Sequence, residues 1–217
     1  SMRRIHWPYT ARMNELMVKE FDMGLSAEAW VLLDMHHLSH YGIEQDDVNN
    51  TEELAVTVAA SIVGRLMDQS MPVGLAVNGD REHIFRPDSS PEQRGRLMET
   101  LSEVRAYGQI NLQEFIYGLR SHLNQFNALT LVTASVEPQW IASLTHLRRQ
   151  GVEVSVVMVD RSSFGSPTNM SVPLEALSAN LIPVYMVRQG DNLNDALLAP
   201  VREIPRSWIS GVAGGVE

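Results

Sequence analysis

The sequence predicts an α/β protein: a three-layer, Rossmann-like α/β/α sandwich with a mostly parallel central sheet and one antiparallel edge strand. Three observations carry that prediction. Ala29-Trp30-Val31-Leu32-Leu33-Asp34 is a short, bulky apolar run closed by one carboxylate, the pattern of a strand buried on both faces of a parallel sheet. Comparable runs recur at Val73–Val77, Leu129–Thr133, Val152–Val159 and Ile182–Val187, most of them separated by stretches of helical character, which implies right-handed crossovers in a layered domain. Asn78-Gly79 is a hairpin signal, so Glu82–Arg86 is expected to return antiparallel at the sheet edge. Ligands of open α/β sheets sit beyond the carboxyl ends of the strands, which is where Asp34 would stand.

In chain order, Arg3 to Phe21 is basic and aromatic, and Leu16–Phe21 is compatible with an extended segment that Gly24 and Ser26 break. The histidine-rich turn Met35-His36-His37-Leu38-Ser39-His40 follows the first strand, and Glu44–Asp47 with Asn49-Asn50 reads as a polar loop. Thr51 is the expected N-cap of a helix through Leu66, with Glu52 and Glu53 in its first turn, where carboxylates suit the helix dipole. Leu54, Val58, Ile62 and Leu66 supply its apolar stripe. Ser90-Pro91 opens a helix to about Tyr107-Gly108. Asn111 caps another through about Leu123, with Phe115, Leu119 and Leu123 on one face. A helix from Pro138 to Arg149 stops at Gly151. Short helices are expected at Pro173–Ala179 and Asp191–Leu198. Residues 1–24 are expected to form an extended segment packing on the domain, residues 25–200 the domain, and residues 201–217 a loose tail.

The totals exclude several functions. A chain of 217 residues fits one α/β domain with a single core. Its net charge of −9 argues against non-specific nucleic-acid binding, which needs surplus Lys and Arg. The absence of cysteine excludes disulfides and thiolate chemistry. No apolar run approaches the roughly 20 residues that span a bilayer. Ser1-Met2 reads as a cloning remnant, so the chain is expected to be a piece of a longer protein. There is no Gly-x-Ser-x-Gly elbow, no Walker A sequence and no Gly-x-Gly-x-x-Gly after the first strand. An enzyme is not expected.

Arg4-Ile5-His6-Trp7, then Ala11-Arg12, Leu16 and Val18-Lys19-Glu20-Phe21, ahead of a strand ending in Leu33-Asp34, resemble domain-of-unknown-function family 58. An edge hairpin after the first crossover is also the element order of the von Willebrand factor A type. The resemblance implies a C-terminal domain of that type, a membrane-anchoring hairpin upstream, and no established enzymatic activity. It implies a protein partner, a MoxR-type AAA+ ATPase. In the full-length protein the domain would then be cytoplasmic, at the inner face of the cell membrane, with membrane contact only through segments outside this chain. It also implies where a metal-ion-dependent adhesion site would fall. That site needs Asp-x-Ser-x-Ser, a Thr from a later loop and an Asp after the following strand, because Mg²⁺ takes hard oxygen donors in octahedral geometry. Here the run reads Asp34-Met35-His36-His37-Leu38, the loop Tyr107–Asn111 brings no Thr, and the later strand ends Thr133-Ala134-Ser135-Val136-Glu137. Asp34 alone matches. A degenerate site without a cofactor is expected, with Thr133, Ser135 and Glu137 as improvised oxygen donors.

Two clusters carry alternative readings. His36, His37 and His40 with Asp34 would suit Zn²⁺, Ni²⁺ or Cu²⁺, His36 and His40 sharing a face if that segment were helical. The plainer reading is a polar rim loop that tolerates histidine. Arg4, Trp7 and Arg12, with Arg3 and Tyr9, would either meet an acidic partner or pack against the sheet. The expected partner-binding residues are Arg4, Trp7, Arg12, Asp34, Thr133, Ser135 and Glu137. The leading expectation is a non-enzymatic protein–protein interaction domain. The alternative is a metal-dependent binding or hydrolytic domain using Asp34 with His36, His37 or His40. A homo-oligomeric scaffold is a third, and the oligomeric state stays open.

Overall fold

Six strands, β1 (Glu28–Asp34), β2 (Val73–Asn78), β3 (Glu82–Asp88), β4 (Asn127–Thr133), β5 (Glu153–Val159) and β6 (Val184–Val187), make one sheet in the order β3-β2-β1-β4-β5-β6. This computed structural model describes residues 26–42 and 50–201. The predicted N-terminal segment with Arg4, Trp7 and Arg12, the loop at Glu44–Asp47 and the C-terminal tail from residue 202 on lie outside the described residues. Every strand pair is parallel except β2 with β3, as the sequence predicts. The helices are α1 (Thr51–Asp68), α2 (Pro91–Glu103), α3 (Leu112–Leu119), α4 (Trp140–Arg149), α5 (Ser171–Ala179) and the short α6 (Leu193–Ala196).

The two-residue period of the strands splits the core between the two faces. From β1, Ala29, Val31 and Leu33 point to one face, where α1 supplies Val58, Ile62 and Leu66 and α2 supplies Leu97 and Leu101. Trp30 and Leu32 point to the other, against Phe115 and Leu119 of α3, Trp140 and Leu144 of α4, and Leu174 and Leu177 of α5. Each fully buried Leu or Val contributes about 1.5–3 kcal/mol relative to exposure. This is why β1 reads as an uninterrupted apolar run. Trp30 needs Gly74 beside it on β2. A Cβ there would lie 2.9 Å from the Trp30 ring and 2.9 Å from the Phe85 carbonyl oxygen.

Local chemistry sets the element ends, and two differ from expectation. Asn50, not Thr51, caps α1: its side chain accepts the Glu53 N–H. Thr51 is the first helical residue, and its buried hydroxyl accepts the Tyr41 N–H at 2.7 Å. Helix α2 ends at Glu103 rather than near Gly108, because Val104 turns extended and Val104 and Ala106 enter the core. Ser90 and Asn111 cap α2 and α3 as predicted.

The sheet edges are dissimilar. In β3 exposed Glu82, Ile84, Arg86 and Asp88 alternate with half-buried His83, Phe85 and Pro87, and the pairing with β2 is irregular between Val73 and Leu75. At the other edge, β6 has four residues, and the Val201 N–H donates to the Val184 carbonyl at 2.7 Å.

Candidate functional site

The parallel strands deliver Asp34, Thr133 and Asp160 to one rim, each at or just past the carboxyl end of its strand. Asp34 is fully buried. Its Oδ2 accepts the Thr133 hydroxyl at 2.6 Å and its Oδ1 the His36 backbone N–H at 3.1 Å. Thr133 Oγ1 in turn accepts the Ser135 N–H at 2.9 Å. Asp34, Thr133 and Ser135 are therefore one connected group. Glu137 joins this group through its backbone only: its N–H donates to Ser135 Oγ at 3.4 Å, while its exposed carboxylate accepts the Gln139 amide at 3.0 Å.

The histidines do not share a helical face, because residues 37–39 form a turn. His40 is buried and points inward. Its Nε2 lies 2.8 Å from the Asp34 carbonyl oxygen and its Nδ1 3.3 Å from Thr51 Oγ1. A carbonyl can only accept, so Nε2 carries the proton. Burial pushes the His40 pKa below its ordinary value, against the opposing pull of Asp34 and Glu52. His37 lies with Nδ1 2.9 Å from the Gly108 carbonyl. His36 packs on the His37 ring, 4.6 Å between centroids, and partial burial lowers its pKa as well. Among the described residues, no three His, Cys, Asp or Glu side chains group as metal ligands.

Several rim residues are not among the site candidates named from the sequence. Gly108 lays its backbone against the chain just past β1, in a parallel bridge with His36: its N–H donates to the Met35 carbonyl at 3.0 Å, and its own carbonyl accepts the His37 N–H at 3.1 Å. Asn78 holds the same loop through the Ile110 carbonyl. Glu52, buried in the first turn of α1, accepts from Arg105 at 3.3 Å and from the Ala106 N–H at 3.3 Å. Asp160 bonds the Ser162 N–H and hydroxyl and pairs with Arg188 at 3.1 Å. A carboxylate closing an apolar strand is the pattern that singled out Asp34, and it would have found Asp160 too. Arg161 crosses the rim to donate to the Leu38 carbonyl at 3.2 Å, a contact that nothing local in sequence foretells. Away from the rim, hollows of about 470 Å³ and about 270 Å³ lie among α1, α2 and α6 and between α3 and α4.

Known structures reproduce this architecture. The conserved hypothetical protein BatB from Bacteroides thetaiotaomicron aligns at TM-score 0.55 and 14% identity, over 80% of this chain and 96% of that one. An aerotolerance-related membrane protein from Bacteroides fragilis NCTC 9343 aligns at TM-score 0.53 and 15% identity, over 79% and 95%. The SpRpn10 VWA domain aligns at TM-score 0.53 and 11% identity, over 80% and 94%. At these identities the likeness shows the fold, a VWA-type α/β/α sandwich. No curated protein matches the sequence. Among the described residues no helix is long and apolar enough to cross a membrane. The family model described as "Protein of unknown function DUF58" matches residues 1–191, and the chain belongs to that family.

Proposed function

We propose that this chain is a non-enzymatic protein-interaction domain that docks through its sheet rim without a Mg²⁺ ion. The observation that carries this reading is the internal engagement of Asp34, which is fully buried and whose two carboxylate oxygens accept hydrogen bonds from the Thr133 hydroxyl and the His36 N–H. A VWA-type adhesion site would use that carboxylate, directly or through water, beside two serines. Here His36 and Leu38 stand at the serine positions and Gly108 lies against the rim where a Thr would be wanted. Thr133 and Ser135 are the remaining oxygen donors, and Thr133 is committed to Asp34. That donor set does not fit a hard octahedral cation. In the resemblance to the family, the partner is a MoxR-type AAA+ ATPase and the parent protein sits at the inner face of the membrane. The membrane protein among the structural neighbours agrees with such a setting.

Thermal unfolding and a direct binding measurement test the two halves. A ligand at 100 times its Kd raises stability by about 2.7 kcal/mol, so excess Mg²⁺ or Mn²⁺ that raises the midpoint sinks the metal-free reading. Zn²⁺ or Ni²⁺ raising it, with the gain lost in a His36→Ala and His40→Ala double variant, would favour a metal-dependent domain instead. Calorimetric titration with the ATPase encoded beside the parent gene is expected to give saturable binding that Asp34→Asn leaves within about twofold, since that variant keeps the shape of the buried group. No binding by the unaltered chain refutes the partner.

A further inference from the structure

We propose that Arg161 is the rim's anion-reading group, placed to take a carboxylate presented by a protein partner. The proposal rests on the protein-interaction reading above and supplies the partner's chemistry. Arg161 opens the 3-10 turn after β5 and crosses to the β1–α1 loop, where one terminal nitrogen, Nη1, is held by the Leu38 carbonyl. Its Nε is shielded from solvent and has no acceptor. Among the described residues neither Nε nor Nη2 meets an acceptor, and no carboxylate lies within ion-pair distance of the guanidinium.

The neighbouring acid does not fill that gap. Asp160 spends one oxygen on Ser162 and the other on Arg188. The Tyr41 ring lies 5.9 Å from the Arg161 guanidinium carbon, at the outer limit of a cation–π contact. A half-buried cation is costly where no counter-charge meets it, and among the described residues none pairs with Arg161. Desolvation by burial holds the Arg161 pKa below the usual arginine range, with Tyr41 pulling the other way. An incoming anion would relieve that cost.

The free groups also choose the anion. Nη2 is the donor open to an incoming carboxylate: among the described residues it meets no acceptor and, unlike Nε, it is not shielded from solvent, so it can give a charge-assisted hydrogen bond. A phosphate site gathers several donors, whereas here one guanidinium stands beside Leu38, whose side chain is 69% exposed. An acidic residue flanked by an apolar one on a partner's surface matches both features.

Acetate is the probe, with phosphate as the competing oxyanion, each titrated at constant ionic strength into the nitrogen-15-labelled chain. Arginine Nε–H and backbone amide resonances are followed. The expected result is a saturable acetate shift at Arg161 Nε–H and at the Leu38 and Ser39 amides, with phosphate binding no tighter. Arg161→Gln should weaken acetate by on the order of tenfold or more, the worth of one charge-assisted hydrogen bond. Arg161→Lys keeps the charge, gives up the Leu38 anchor that aims the guanidinium and should also weaken it. Arg120→Gln, on the far side of the domain where Arg120 stacks on Tyr117, should change nothing, and the amide spectrum reports whether each variant folds. Phosphate binding tighter than acetate overturns the carboxylate assignment, and a shift that fails to saturate or spreads over all arginines overturns the site. The readout needs neither ATPase nor metal, so failure here is distinct from failure of the docking reading.

Discussion

Thr133 and Asp34, 99 residues apart in the chain, meet through a hydroxyl-to-carboxylate hydrogen bond of 2.6 Å that ties the ends of β1 and β4 together. Replacing the hydroxyl with a methyl of the same shape leaves a buried carboxylate short of one donor. Thr133→Val is expected to cost about 1.5–3 kcal/mol, the range for hydrogen bonds to charged groups. Urea unfolding measures it. In an Asp34→Asn background the same substitution should cost less, since the group left unpaired is no longer ionised.

The buried imidazole of His40 makes stability depend on pH. Its folded-state pKa is lowered by burial, while the unfolded chain takes up its proton near about pH 6.5. The stabilisation is therefore present above about pH 6.5 and is lost as the pH falls through the lower, folded-state value. His36 acts in the same direction. Unfolding free energies measured between neutral and mildly acid pH should decline more steeply for the unaltered chain than for His40→Gln.

Two glycines provide a matched test of close approach. A Cβ on Gly108 would stand 2.5 Å from the Asn78 carbonyl oxygen and 2.9 Å from that of Met35, so Gly108→Ala is expected to cost about 1–3 kcal/mol through forced backbone displacement. Gly118 lies exposed near the end of α3 with nothing within 4 Å. Gly118→Ala should instead stabilise the protein by about 0.5 kcal/mol, through helix propensity. Opposite shifts in the thermal midpoint are the expected outcome.

The start of α1 separates a cap from a core hydroxyl. Asn50→Ala removes the acceptor of the Glu53 N–H and should cost about 1 kcal/mol. Thr51→Val orphans the Tyr41 N–H and withdraws the neighbour of His40 Nδ1, so it should cost more. Equal losses in chemical unfolding would contradict this division.

How far the sequence could be read follows from the range of each interaction. The β1 run, the stripe of α1, the hairpin at Asn78-Gly79 and the serine and asparagine caps are local patterns, and the chain folds as they predict. Asn50 and Thr51 are both good cap residues in succession, and only tertiary contacts with Tyr41 decide between them. The histidine turn was ambiguous for the same reason: His40 is aimed by Thr51 and by the Asp34 carbonyl. Asp34, Thr133 and Ser135, expected from the sequence as oxygen donors, converge on one rim, and Glu137 is tied to them through its backbone N–H and not its carboxylate. Arg161 was missed because its contact with Leu38 joins residues 123 apart. No window of sequence contains both.

The contrasting margins of the sheet bear on how such a domain enters larger assemblies. On one side the outermost strand carries charges and Pro87 along its length, features that discourage a neighbouring chain from adding on. On the other side, a four-residue strand already has Val201 bonded to its first residue. The described residues thus offer a neighbouring chain little unpaired backbone at either border.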